Sequence, residues 1–179
     1  KDIAAAIDSI GGLINASTGK EYTCYYTKTL DTHIDVAVDV LADMFFNSLF
    51  NEKDINIEKQ VVLEEINMYE DTPDDLVHDI LAEVMWNGDA LGYPILGTYE
   101  SLGRLNRQTI TDYLSNYYFP ENTVIAIAGN YDDKKIKELL EKYFSSWKND
   151  KHKIVNYDTV NYNSGVKAKS KDTEQVHLC

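Results

Sequence analysis

The apolar residues along most of the chain recur every three or four positions, which is the spacing of a helix with one buried face. Isoleucines at positions 3, 7 and 10 show this spacing and stop at Gly11-Gly12, a common helix end. The longest stripe includes Ile55, Val62 and Ile66, and Thr72-Pro73 is a strong start signal for the next helix. The pattern predicts helices at about 3–10, 31–46, 52–71, 72–88, 109–118 and 132–144.

Two stretches rich in β-formers lie between the first two predicted helices. Leu13–Thr18 and Glu21–Leu30 are separated by the turn residues Gly19-Lys20, which predicts a pair of consecutive strands. The continuous apolar run Thr123–Gly129 predicts a buried strand. Successive strands followed by helices indicate an α+β fold, with helices packed on one face of a mainly antiparallel sheet.

The composition changes after Trp147, where a polar, lysine-containing stretch begins. We interpret residues 1–148 as most of one domain, residues 149–172 as a linker, and residues 173–179 as the start of a second domain. Lys1 is not an initiator Met, and we expect the polypeptide to begin upstream of it.

Charge and cysteine usage narrow the classes of partner. The net charge of −13 repels phosphate backbones, so nucleic acid is not expected as a partner, and no apolar run approaches the roughly 20 residues of a membrane helix. Cys24 and Cys179 do not make a disulfide framework, which favours a reducing compartment such as the cytoplasm. The apolar neighbours of Cys24 predict a core position for it.

The long predicted helix contains more acidic residues than a simple amphipathic helix needs. Glu58 and Glu65 are seven residues apart and share a face, whereas Glu64 is turned by roughly 100°. Paired carboxylates can hold a metal ion or orient a water molecule, but the spacing alone favours a solvated helix face. The Asp71–Asp75 cluster is explained by helix capping.

The histidines do not predict a metal site by themselves. None of the four, at positions 33, 78, 152 and 177, lies four residues from another, so the chain has neither His-Glu-x-x-His nor its inverted form. Each is interpreted as a surface or packing residue.

Small polar residues follow the Gly11-Gly12 bend. At a sheet edge such a strand could pair with an extended peptide, and inside a sheet it would be an ordinary interior strand; the sequence leaves both open. The stretch is Leu13, Ile14, Asn15, Ala16, Ser17 and Thr18.

Several of these segments, in this order, resemble the pitrilysin–insulinase family of zinc peptidases, in its bacterial and mitochondrial processing-peptidase branch. The segments that carry the resemblance are Asp8–Ala16, Glu21 with Tyr25-Tyr26, Glu58–Ile66, Gly92–Gly97 and Ala126–Asn130.

The resemblance implies that Glu65 is a zinc ligand and that Glu58 is a glutamate typical of active members. The inverted motif His-x-x-Glu-His, with two further ligands and the general base, would precede Lys1 by roughly a dozen residues. Leu13–Thr18 then corresponds to the edge strand that pairs with substrate. Residues 173–179 resemble the first strand of a second homologous half.

The activity implied is a zinc-dependent endopeptidase that cleaves peptides or presequences, in the cytoplasm or the mitochondrial matrix. Its partners would be a peptide or unfolded polypeptide and a second homologous half or subunit, with neither nucleic acid nor membrane involved. The alternative is a non-catalytic family member that binds peptides or supports an active subunit. A plain acidic interaction domain is a third possibility. The isolated chain is expected to be inactive because it supplies one zinc ligand where three are needed.

Overall fold

A computed structural model of the chain describes residues 2–148, 159–172 and 174–179. The polypeptide divides into two compact units, each made of two separated stretches. The first unit contains residues 1–50 and 110–153, and the second contains residues 51–109 and 154–179. The helices are α1 (Asp2–Asp8), α2 (Ile34–Phe46), α3 (Glu52–Glu70), α4 (Pro73–Met85), α5 (Tyr99–Arg104), α6 (Arg107–Tyr117) and α7 (Asp133–Phe144).

The sheet of the first unit is a two-stranded antiparallel hairpin. β1 (Leu13–Thr18) pairs with β2 (Thr23–Lys28) in a register that runs from Leu13 opposite Lys28 to Thr18 opposite Thr23. α1 packs on β1 and α2 packs on β2. The predicted α+β class and the antiparallel pairing of consecutive strands are therefore confirmed.

The core of the first unit forms where α1, α2 and α7 meet. Ile7 is completely buried, and burying a side chain of this size is worth roughly 1.5–3 kcal/mol. α2 buries one side because its apolar residues recur at helical spacing. Aromatic rings extend this core, with centroids 5.0–5.5 Å apart; the residues are Phe45, Phe46, Tyr118, Phe144 and Trp147.

The second unit is organised around α3, which contacts both α4 and α5. Ile66 on α3 and Leu102 on α5 are buried, and the predicted α3 stripe faces inward as expected. Lys59 reaches from α3 to the end of α5, where its ammonium donates to the carbonyl oxygens of Gly103 at 3.3 Å and Leu105 at 3.0 Å. These bonds hold α3 in a fixed orientation relative to α5.

The prediction of a buried strand at Thr123–Gly129 is wrong. The segment forms no ladder with the described residues, and Val124 is 90% exposed. Tyr118, before the segment, has its hydroxyl 3.2 Å from that of Tyr25, and Asn130, after the segment, donates a hydrogen bond to Asp31. The segment therefore runs in the same direction as β2. A groove of about 280 Å³ lies between the two, and a strand cannot form without a neighbour within hydrogen-bonding distance.

The predicted core position of Cys24 is also wrong. Cys24 is exposed, and along β2 only Thr27 is half-buried. An apolar strand predicts a core residue only where a second layer covers that face of the sheet.

The polar stretch after Trp147 is described only from residue 159. Of the linker predicted over residues 149–172, residues 149–158 lie outside the described residues, and residues 159–172 contain no helix or strand. Of the strand predicted over residues 173–179, residue 173 lies outside the described residues, and residues 174–179 form no strand. Within the described residues, no helix combines the length and the apolar character needed to cross a membrane.

Candidate functional site

Two of the predicted site residues project from one face of α3. Glu58 and Glu65 are separated by nearly two turns, which places them about 10 Å apart along the helix axis. Both are exposed, and neither takes part in any of the ion pairs among the described residues. Their carboxylates are therefore available to an external cation or water molecule.

These carboxylates alone do not make a zinc site. A zinc ion in a hydrolase is held by three protein ligands, and the described residues contain no group of three histidine, cysteine or acidic side chains placed to bind one ion. His78 lies near Cys179, with 3.5 Å between Nδ1 and Sγ, but no third ligand joins them. Among the described residues no complete zinc site is present, and the assignment of Glu65 as one ligand stays a prediction.

β1 presents an open edge, which is what pairing with an extended peptide requires. Its only strand partner among the described residues is β2. The Gly19 amide donates to the Tyr22 carbonyl at 2.8 Å, so Gly19 and Tyr22 form a hydrogen-bonded pair. Because such pairs alternate in an antiparallel ladder, Ile14, Ala16 and Thr18 direct their main-chain groups away from β2.

The side chain of Asn15 modifies this open edge. Its Oδ1 accepts a hydrogen bond from the Ala16 amide at 2.8 Å, which agrees with an outward-facing Ala16 N–H. The residues predicted to bind substrate thus divide into two sets. Leu13, Asn15 and Ser17 bond to β2 through the main chain, and the intervening residues face the open edge.

The seven-residue spacing and the family resemblance together also predict that Glu58 and Glu65 face the strand Leu13–Thr18. β1 lies in the first unit and α3 in the second. The roles assigned to the glutamates and to the strand stay predictions.

The Gly92–Gly97 segment owes its two glycines to close packing and backbone conformation. A Cβ on Gly92 would lie 2.6 Å from the Trp86 carbonyl oxygen, and Gly97 has a φ of +75°. The Thr98 and Ser101 side chains then cap α5 reciprocally. This segment therefore has a structural role in joining α4 to α5.

Sequence reasoning missed two polar residues that contact the candidate elements, one on α3 and one on β1. Lys59 anchors the helix that carries Glu58 and Glu65, and the Asn15 side chain occupies an edge N–H of β1. The only available signal for Lys59 was its place inside the Glu58–Ile66 segment, and its partners 44 and 46 residues away could not be inferred.

Tyr25, which lies on β2, has a hydroxyl with a raised pKa. Burial raises the pKa of the Tyr25 phenol above its usual value of about 10, and the hydrogen bond with Tyr118 raises it further. The tyrosine stays neutral at physiological pH and has a packing role.

The family assignment follows from two family matches that together cover nearly the whole chain. The family described as Insulinase (Peptidase family M16) matches residues 1–99, and the Peptidase M16 inactive domain matches residues 104–179. The chain belongs to the M16 peptidase family. This assignment confirms the resemblance to pitrilysin- and insulinase-type peptidases.

Curated relatives include the uncharacterized zinc protease YmxG of Bacillus subtilis (strain 168), 48% identical over 100% of this chain and 43% of that protein. The uncharacterized zinc protease SCO5738 of Streptomyces coelicolor is 46% identical over 80% of this chain and 31% of its own length. The chain thus spans less than half the length of these relatives.

Two solved structures show the same fold. A protease from Helicobacter pylori superimposes with a TM-score of 0.81 at 23% identity, covering 90% of this chain and 39% of that one. Pitrilysin superimposes with a TM-score of 0.77 at 24% identity, covering 91% of this chain and 18% of that one.

Proposed function

We propose that the complete protein is a zinc-dependent endopeptidase that cleaves peptides or unfolded polypeptides, and that this chain contributes one metal ligand and the substrate-binding strand. The observation that carries the proposal is the pair of exposed, unpaired carboxylates of Glu58 and Glu65 on one helix face, in a chain 48% identical to a protein named a zinc protease. The remaining ligands would come from an inverted His-x-x-Glu-His motif, which residues 1–179 do not contain.

In this proposal Glu65 binds zinc through its carboxylate. When bound, the metal polarises the peptide carbonyl and lowers the pKa of a water molecule. Glu58, two turns earlier on the same face, would use its carboxylate to orient the polar groups that surround the zinc. Lys59 keeps that face in place through its bonds to the end of α5.

Substrate would add to the open edge of β1 as a further strand. The main-chain groups of Ile14, Ala16 and Thr18 supply hydrogen bonds that do not depend on the substrate's side chains. The Ala16 amide must first exchange its bond to Asn15 Oδ1 for a bond to substrate. In the free enzyme the Asn15 side chain thereby accepts the outward hydrogen bond of the Ala16 amide, which makes unwanted strand pairing less favourable.

The same proposal includes a domain organisation: most of one domain over residues 1–148, a linker over 149–172, and a second half from residue 173. It also places the protein in a reducing compartment, either the cytoplasm or the mitochondrial matrix. The second candidate function is a non-catalytic M16 subunit, which the match to the family's inactive domain over residues 104–179 favours.

The deciding experiment compares Glu65→Gln with Glu64→Gln in the full-length protein. Glu64 is a matched control because it is an adjacent exposed glutamate on the same helix that points to a different face. We expect Glu65→Gln to lose bound zinc and at least about 100-fold of its activity on a quenched peptide, as expected when a metal ligand is removed. Glu64→Gln should keep both.

Zinc content by mass spectrometry and peptide cleavage separate the alternatives. A wild-type protein with neither zinc nor activity would establish the non-catalytic subunit instead. A Glu65→Gln variant that keeps stoichiometric zinc and full activity would remove Glu65 from the site.

A further inference from the structure

The polar segment after residue 158 is attached to α4 rather than free. The Asn163 amide donates to the Met85 carbonyl at 2.9 Å, and the Tyr162 ring packs edge-on against Trp86 with centroids 6.1 Å apart. Gly165 lies so close to α4 that an added Cβ would be 3.2 Å from a methyl group of Val84. These contacts fix the start of the segment at the C-terminal end of α4.

Three lysines hold the rest of the segment, one near the C-terminal end of α4 and two where α3 ends and α4 begins. Lys167 pairs with Glu83 at 2.5 Å, Lys169 with Glu70 at 3.9 Å, and Lys171 with Asp71 at 2.5 Å. Lys171 also donates to the Glu70 carbonyl at 2.6 Å. We call these three lysines and their three acidic partners the lysine clasp.

The spacing of the lysines suits an extended chain. The residue steps of α4 from Pro73 to Met85 rise about 18 Å, and eight residues fully extended reach about 27 Å. The segment from Asn163 to Lys171 is therefore long enough to run along α4, in the antiparallel direction and in a largely extended conformation. In an extended chain every second side chain points to the same side, which brings all three lysines to the acidic surface.

Charge, more than apolar contact, holds the lysine-bearing part in place. Val166, next to Lys167, is 99% exposed and buries nothing. The acidic side chains of the clasp are 54–76% exposed, so dissolved salt reaches and screens each ion pair. The chain carries a net charge of −13, and the lysines reduce the repulsion where α3 ends and α4 begins.

The attached segment also forms one side of a cavity that is open to solvent. Lys167, Ala168 and Lys169 form one wall of this cavity, which has a volume of about 650 Å³ and lies in the second unit. Trp86, Tyr93 and other aromatic residues line it as well. Detaching the lysines would remove that wall and expose more of the aromatic lining.

We propose that residues 162–171 are a strap that the lysine clasp holds against α4 and that moderate salt releases. In the attached state the strap forms one wall of the cavity and fixes the point from which the following polypeptide continues. In the released state residues 162–171, including Asn163, leave α4 and the cavity loses that wall. This inference is independent of zinc binding and of peptidase activity.

Amide hydrogen exchange in the full native polypeptide tests the strap directly. Protection of the Asn163 amide reports attachment, since this amide bonds to Met85. Raising NaCl from about 0.05 M to about 1 M shortens the screening length to about 3 Å, and we expect Asn163 protection to fall about tenfold. The Trp86 amide, which bonds to Ala82 within α4, should keep its protection.

Variants of the lysines test whether the lysine clasp is responsible for the protection of the Asn163 amide. Changing all three clasp lysines to glutamine should remove Asn163 protection at low salt, while the same change at Lys134, Lys137 and Lys148 should not. Exchanging one pair, Lys167→Glu with Glu83→Lys, should restore the protection that Lys167→Glu alone removes.

Three results would overturn the proposal: protection that is insensitive to salt, equal loss in the control triple variant, or no rescue by the exchanged pair. The salt series on the wild-type protein decides the matter if the clasp variant fails to fold, which the Trp86 amide would reveal.

Discussion

β1 in the first unit and α3 in the second both carry candidate functional groups, but they present different kinds of atoms. β1 offers main-chain N–H and C=O groups along an open edge, whereas α3 offers the carboxylates of Glu58 and Glu65. A main-chain surface tolerates side-chain substitution, and a carboxylate does not tolerate its own replacement. The two elements should therefore respond to mutation in opposite ways.

The same contrast extends to what holds each element. β1 is fixed by its ladder to β2 and by α1. α3 is fixed by a buried isoleucine, by Lys59 and by its contacts with α4 and α5. Activity that depends on α3 is thus sensitive to changes outside the helix itself.

After Glu65→Gln, the largest effect on the contrast is expected from Glu58→Gln in the full-length protein. Removing a group that supports a metal site without binding the metal typically lowers activity 10- to 100-fold, so we expect a loss in this range with zinc retained. Steady-state cleavage and zinc content measure it, with Glu64→Gln as the control. Equal activity in both variants would mean that the α3 face contributes only through Glu65.

The next effect is structural and confined to the second unit. Gly92→Ala places a Cβ 2.6 Å from the Trp86 carbonyl oxygen, so the backbone must move, at a cost of about 1–3 kcal/mol in the free energy of unfolding. Gly103→Ala is the matched control because open space surrounds that position in α5, where alanine favours the helix. Urea unfolding distinguishes the two, and a neutral Gly92→Ala would show that the α4–α5 connection adapts.

A smaller effect should follow from Ala16→Pro, which removes the outward N–H of β1 without removing a ladder bond to β2. One main-chain hydrogen bond is worth about 1 kcal/mol, so we expect roughly a five- to tenfold loss in kcat/KM, with zinc unchanged. Ala16→Ser keeps the N–H and should behave as wild type. A proline variant with wild-type kinetics would exclude this edge as the substrate strand.

The smallest effect concerns pH and the first unit alone. The pKa of Tyr25 is raised in the folded state, so its contribution to stability is present below about pH 10 and is lost as pH rises through the folded value. Tyr25→Phe should flatten the fall in unfolding free energy above about pH 10 and leave the neutral-pH profile unchanged. An unaltered alkaline slope would assign that slope to other tyrosines.

Secondary structure was largely predictable because its signals are local. The helices around Val38 and Ile66 and the hairpin at Gly19 depend on spacing and turn residues within a few positions. The run at Thr123–Gly129 was misjudged because a strand depends on a distant neighbour that local sequence does not reveal.

The candidate site was predictable in part for a similar reason. Seven-residue spacing places Glu58 and Glu65 on one face without further information. The capping of the Ala16 amide by Asn15 depends on a single rotamer. The partners of Lys171 lie 100 or more residues away, which no local pattern indicates.

The discontinuous composition of the two units has a consequence for folding. The first unit combines residues 1–50 with 110–153, so its halves are separated by roughly 60 residues that belong to the other unit. Closing a loop of that length costs about 3–4 kcal/mol of chain entropy before the packing between α2 and α7 contributes. During synthesis, residues 51–109 emerge before α7 does, so the local contacts of α3, α4 and α5 can form first. The first unit can complete its core only after translation has passed Phe144.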